Sequence, residues 1–83
     1  MKVSYEKVYE VFITFLSDDL INFKNKRTGT QVKYSHLNEK TPKESRDRLF
    51  KAIKDDIPID LLIKITQNEG KSKCHTVLDA SFS

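Results

Sequence analysis

Between Tyr5 and Leu16 the apolar residues satisfy two periods at once. Tyr9, Val11, Ile13 and Phe15 alternate as in a strand, whereas Tyr5, Val8, Tyr9, Phe12, Ile13 and Leu16 recur at helical spacing. The polar residues Glu6, Lys7, Glu10, Thr14, Ser17 and Asp18 gather on one side of a 3.6-residue period and scatter over both faces of a period of two. That distribution predicts a helix from Ser4, as N-cap, to Leu16, against the pull of the β-branched and aromatic residues toward a strand. Its apolar arc, with Val11 and Phe15 at the edge, spans about 200°. So broad a face needs a sheet and a second helix to cover it, or a second copy of the chain, so a homodimer enters as a possible partner arrangement.

Beyond Ser17-Asp18-Asp19 the pattern changes. Residues 20 to 24 and 31 to 35 are short runs of period-two character around Asn25-Lys26-Arg27-Thr28-Gly29-Thr30, which predicts a β-hairpin over residues 20 to 36 with a basic tip. The competing assignment extends the first helix through Lys26 and caps it at Gly29. Thr41-Pro42-Lys43-Glu44 reads as a capping box with threonine at N-cap, proline at N1 and glutamate at N3. The helix it opens places Leu49, Phe50, Ile53 and Ile57 on one face and ends near Asp55, because Pro58 forces the residue before it out of the α region. Ile57, Ile59, Leu61, Ile63 and Ile65 then alternate as a strand, with Leu62 the exception. Asn68-Glu69-Gly70-Lys71 turns the chain into a partner strand from Lys73 to Leu78, and the tail from Ser81 is expected to fray.

These elements predict one α+β domain over residues 1–83, in the order helix, hairpin, helix, hairpin, with two helices on one face of an antiparallel sheet. A helix from Pro58 to Gln67 would instead make the fold all-α. The chain has 83 residues, 37% of them hydrophobic and only two each of Gly and Pro, which supports a single small core and excludes a low-complexity chain. Its one cysteine, Cys74, forms no internal disulfide, which points to a reducing compartment and a cytoplasmic location. The run from Val8 to Leu16 is interrupted by Glu10, is too short for a bilayer span and lacks a signal-peptide cleavage pattern, so no membrane association is expected.

Charge changes the picture most. Residues 24 to 54 hold ten cations against three acids, and the flanks carry a net −2 each, leaving +3 overall. A local excess of this size attracts polyanions wherever it is exposed. In the hairpin tip Lys24, Lys26 and Arg27 stand with Thr28, Thr30 and the Gly29 amide, a donor set suited to phosphate oxygens. Lys33 and Tyr34 on the returning strand add a cation and a stacking ring, and Lys43 opens the second helix. A solvated tip whose lysines keep a strand edge from pairing explains the same residues structurally. On the second helix, Glu44 with Arg48, Asp47 with Lys51, and Lys51 with Asp55 have ion-pair spacing, which reads as a solvent face. Arg46 falls inside the apolar stripe and has to snorkel or find a partner on another element.

No residue pattern activates a nucleophile or separates two carboxylates into acid and base. Cys74 and His75 are adjacent on a predicted strand and point to opposite faces, with His36 remote, so neither a metal nor another cofactor is expected. The leading expectation is a small non-catalytic nucleic-acid-binding protein that grips the phosphate backbone through Lys24, Lys26, Arg27, Lys33, Tyr34 and Lys43. The second is an accessory or inhibitory protein, of the kind common in phages and other mobile elements, that docks on a larger protein complex. There the rings of residues 5 to 15 would anchor the interface if they were exposed.

Overall fold

A computed structural model describes residues 1–37 and 40–82, except for the side chain of Tyr34. The elements are β1 (Lys2–Leu16), β2 (Leu20–Lys24), β3 (Gln31–Leu37), α1 (Lys43–Asp55), β4 (Ile59–Gln67) and β5 (Cys74–Ser81). The strands close into a barrel in the order β1-β2-β3-β5-β4. All neighbours are antiparallel except β3 and β5, which among the described residues meet in parallel at two positions, His36 with Thr76 and Leu37 with Val77.

The first segment is therefore a strand, which corrects the expected helix from Ser4 to Leu16. The architecture with two helices on one face of a sheet goes with it, as does the all-α alternative. Two interruptions of register explain why a period of two failed. Val8 pairs with Leu61 and Val11 with Ile59, so β1 spends three residues where β4 spends two. Glu10 sits in that step with φ 54°, a left-handed conformation costly for a residue with a Cβ, and its N–H donates to the buried carboxylate of Asp60 at 2.9 Å. A second step follows, since Ile13 pairs with Phe23 and Phe15 with Asn22, leaving Thr14 as the extra residue. Each step exchanges the inward and outward sides. Val8, Val11, Ile13 and Leu16 all pack on the core, at spacings of three, two and three that imitate a helix. The broad apolar arc is divided between two faces of one strand, so it requires no second subunit to cover it.

The bent strand makes closure possible. Its first half pairs with β4 and its second half with β2, so one strand forms two walls of the barrel. The hairpin expected over residues 20 to 36 is β2–β3, and the second hairpin is β4–β5. Ser81, expected to fray, is paired with Asp60, and Ser83 lies outside the described residues.

Helix α1 corks one end of the barrel. Leu49 and Ala52 are 0% and 1% exposed and insert with Ser45, while Phe50, assigned to the apolar stripe from sequence, is 61% exposed. The inserted set follows the i, i+4, i+7 rule in a frame displaced from the predicted one, because a seryl hydroxyl occupies a core position. The capping box is corrected as well: α1 begins at Lys43 behind Pro42, and the Thr41 hydroxyl donates to the Val77 carbonyl at 3.0 Å, tying the helix entrance to β5. At the other end Asp56 takes a left-handed φ of 51° and its N–H closes on the Ala52 carbonyl, ahead of Pro58. Of the three predicted ion pairs, Lys51 with Asp55 forms at 3.4 Å on the surface. Arg48 instead donates to the Ala80 carbonyl at 3.0 Å, and Arg46 reaches the Asp18 carbonyl at 2.8 Å.

Two outcomes follow from these contacts. Asp60→Ala takes the charged acceptor from the part-buried hydrogen bond of the Glu10 N–H, and we expect a loss of about 1–3 kcal/mol in denaturant unfolding. Asp79 accepts a hydrogen bond from the Ser45 hydroxyl, which, with the Ala80 N–H and the charges of Arg48 and Lys7, outweighs a contrary desolvation effect and holds its pKa below 3.8. A carboxylate depressed on folding stabilises the fold above its unfolded pKa and loses that contribution as pH falls through the folded value. Thermal melts from pH 6 downward are expected to decline below about pH 4, less steeply in Asp79→Asn.

Candidate nucleic-acid interface

The steps at Glu10 and Thr14 decide which side chains of β1 reach solvent. Before Glu10 the odd positions Val3, Tyr5, Lys7 and Tyr9 point outward, and after it Phe12 and then Phe15 do. The outer surface of one strand thus carries a stripe of Tyr5, Tyr9, Phe12 and Phe15, with Tyr5 64%, Tyr9 59% and Phe15 47% exposed. Phenylalanine is usually buried and tyrosine intermediate, so four such rings along one outer surface form an exposed apolar patch.

Cations sit among the rings. The Lys7 ammonium lies 5.5 Å from the centroid of Tyr9, and that of Lys26 lies 4.0 Å from the centroid of Phe12. Across the sheet Lys64 is the register partner of Tyr5, and Lys24 that of Phe12. A groove of about 590 Å³ runs between the first half of β1 and the β2–β3 loop, lined by Lys7, Tyr9, Phe12, Lys26, Arg27 and Pro58 among others.

The loop is built to hold its shape. Asn25 accepts from the amides of Arg27 and Thr28 through its side chain, at 3.0 and 3.4 Å, and from the Gly29 N–H through its carbonyl at 2.8 Å. Gly29 has φ 76°, where a side chain would be strained, and the Thr28 hydroxyl donates to that of Thr30 at 3.0 Å. This rigid turn brings Arg27 to Glu10, 3.0 Å away in an exposed ion pair.

The expected site residues divide. Lys26 and Arg27 line the groove beside the stripe, and Lys24 stands next to it as the register partner of Phe12. Lys33 is exposed on the outer side of β3, next to inward-facing Val32. Lys43 does not join them: it opens α1, beyond the end of β3, whereas the basic tip is at the start of that strand. The side chain of Tyr34 lies outside the described residues. Sequence reasoning missed Tyr5, Lys7, Tyr9, Phe12 and Lys64, because it assigned the rings to the core of a helix. The alternation of Tyr9, Val11, Ile13 and Phe15 pointed to a strand but put all four on one face, whereas the register steps turn Tyr9 and Phe15 outward and Val11 and Ile13 inward. Among the described residues no group of three or more His, Cys, Asp or Glu side chains is placed to hold a metal, and Cys74 is exposed and unpaired as a thiol.

The Arg27–Glu10 pair is solvated on both sides, so its contribution to stability is small, about 0.2–1 kcal/mol. Glu10→Gln is therefore expected to shift the unfolding midpoint only slightly, read by urea titration, while removing the acid nearest the groove cations. Compared with protein-family models, curated proteins and solved structures, the chain matches none.

Proposed function

We propose that the protein is a non-catalytic binder of single-stranded nucleic acid, which lies along the outer surface of β1. The observation that carries this reading is the exposed ring row with Lys7 and Lys26 seated against two of its members. Base faces stack on exposed rings without regard to sequence, and lysines and arginines beside them neutralise the backbone. A duplex hides its base faces and exposes only groove edges and backbone, so the aromatic stripe favours the unpaired strand. Lys24, Lys26, Arg27 and Lys33 serve as phosphate contacts in this reading, Tyr5 and Tyr9 as stacking platforms.

The connectivity adds an analogy. A five-stranded barrel in the order β1-β2-β3-β5-β4 with a helix between β3 and β4 is the arrangement of OB-type barrels, which bind oligonucleotides and oligosaccharides. Shared connectivity does not carry function, and the weight rests on the stripe. No described helix is long and apolar enough to cross a membrane. A cytoplasmic location belongs to the same proposal, since Cys74 is an exposed free thiol and the ligand class is intracellular.

Docking on a larger protein is the second reading, favoured by Val3, Tyr5 and Tyr9 being exposed in one row. Fluorescence anisotropy of labelled single-stranded DNA, single-stranded RNA and duplex DNA separates the two. We expect the single strands to bind more tightly, with a log–log salt slope of about −3 if Lys24, Lys26, Arg27 and Lys33 neutralise four phosphates. Tyr5→Ala and Tyr9→Ala each remove a stacking ring worth about 1–3 kcal/mol, a weakening of about 5- to 150-fold. Absence of binding to every nucleic acid at low salt, or unchanged affinity in both tyrosine variants, overturns the reading in favour of a protein partner.

A further inference from the structure

The two ends of the barrel are finished differently. Leu49 and Ala52 of α1 seal one, but among the described residues no element covers the other, where β1 begins and the β2–β3 and β4–β5 loops lie. Inside that open end is a cavity of about 360 Å³. Its floor is the buried core, Val11, Phe23 and Ile63, and its walls are Val8, Val32 and Ile65, which are only partly buried. The volume exceeds one water's share of liquid, about 30 Å³, by an order of magnitude, and it lies within the range of small-ligand sites, which recur in the mouths of β-barrels.

Around these apolar walls stands a polar rim of Glu6, Asn25, Thr28, Thr30 and His75. No hydrogen bond or ion pair engages the side chains of Glu6 or His75 among the described residues. Asn25 uses its side-chain oxygen on the amides of the tip, which leaves its NH2 group as a donor. Apolar walls with donors and acceptors at one edge are complementary to a flat heteroaromatic body that carries hydrogen-bonding groups on its rim. A nucleobase has that chemistry. The mouth adjoins the groove beside the stripe, since Glu6, Val8, Asn25 and Thr28 line both spaces.

Resting on the strand-binding reading, we infer that the open mouth of the barrel receives one unstacked base of the strand carried on β1. The outer rings then hold bases by their faces, while the mouth buries one and reads its edge through Glu6, Asn25 and the two threonines. A base taken out of the stack loses its neighbours' contacts, and the apolar walls replace them. The inference places a preference for base identity in a protein whose other contacts are indifferent to sequence.

Methyl-labelled protein tests this by NMR, titrated with a short oligodeoxyadenylate, an abasic strand of the same length, and free adenosine. The expected result is ring-current shifts of the Val8, Val32 and Ile65 methyl signals with the oligodeoxyadenylate and none with the abasic strand. Ile65→Phe, which fills the mouth and leaves the stripe untouched, is expected to abolish the shifts, and their persistence in that variant overturns the inference. Movement of the Tyr5 and Tyr9 ring signals with the barrel methyls unmoved also overturns it, while leaving the strand reading intact. Methyl shifts with adenosine but no binding of either strand would keep the mouth as a base site and overturn the strand reading. Silence of all three ligands overturns both.

Discussion

The hydrogen bond from the Glu10 amide to the buried Asp60 carboxylate holds the bend on which the rest of the barrel depends. A straight strand of fifteen residues has one inward side and two edges running its whole length. Inserting one residue at Glu10 exchanges the sides and turns the strand, so that β4 takes the first half and β2 the second. Without that turn β1 could not serve two walls, and the short parallel contact between β3 and β5 would have to close the barrel alone. Glu10 is held in an unfavourable φ, and a carboxylate fixed on the neighbouring strand offsets the cost by accepting from its N–H.

The same bend sorts apolar residues by purpose. Val8, Val11, Ile13 and Leu16 go to the core, and Tyr5, Tyr9, Phe12 and Phe15 go outside. A chain of this size has little apolar residue to spare, since small domains bury a modest fraction of their surface. That it leaves four rings on the outer side of one strand, two of them under lysines, separates the stripe from incidental surface hydrophobicity. The helix adds a second asymmetry. Corking one end gives the barrel its most completely buried contacts there, with Ser45, Thr41 and Arg48 tying α1 to β5, and leaves the opposite end open.

Electrostatics follow from this division. The cationic middle of the chain is continuous in sequence but not in space. Lys24, Lys26 and Arg27 lie at the tip beside the groove, whereas Lys43, Arg46, Arg48, Lys51 and Lys54 belong to α1. Two of the helix cations are used internally, on the carbonyls of Asp18 and Ala80, and a third pairs with Asp55. The net excess along residues 24 to 54 therefore overstates any single surface patch. The part that counts at the candidate interface is the tip together with Lys7 and Lys64, which come from the flanks.

Both hairpins, the helix and its end at Asp55 were legible in the sequence, because each depends on local chemistry. Gly29 and Gly70 take positive φ in their turns, Pro58 stops the helix, and the alternation from Ile59 to Ile65 needs no distant partner to be read. Lys24, Lys26 and Arg27 were legible for the same reason, as cations in a turn. The strand character of β1, the aromatic stripe and the open mouth were decided by tertiary structure. Register steps at Glu10 and Thr14 exist only against the neighbouring strands, and they convert a period of two into spacings that look helical. Local sequence determined where the chain turns and where charge collects. Only the closed barrel, through its bent first strand, decided which apolar residues became core and which became surface.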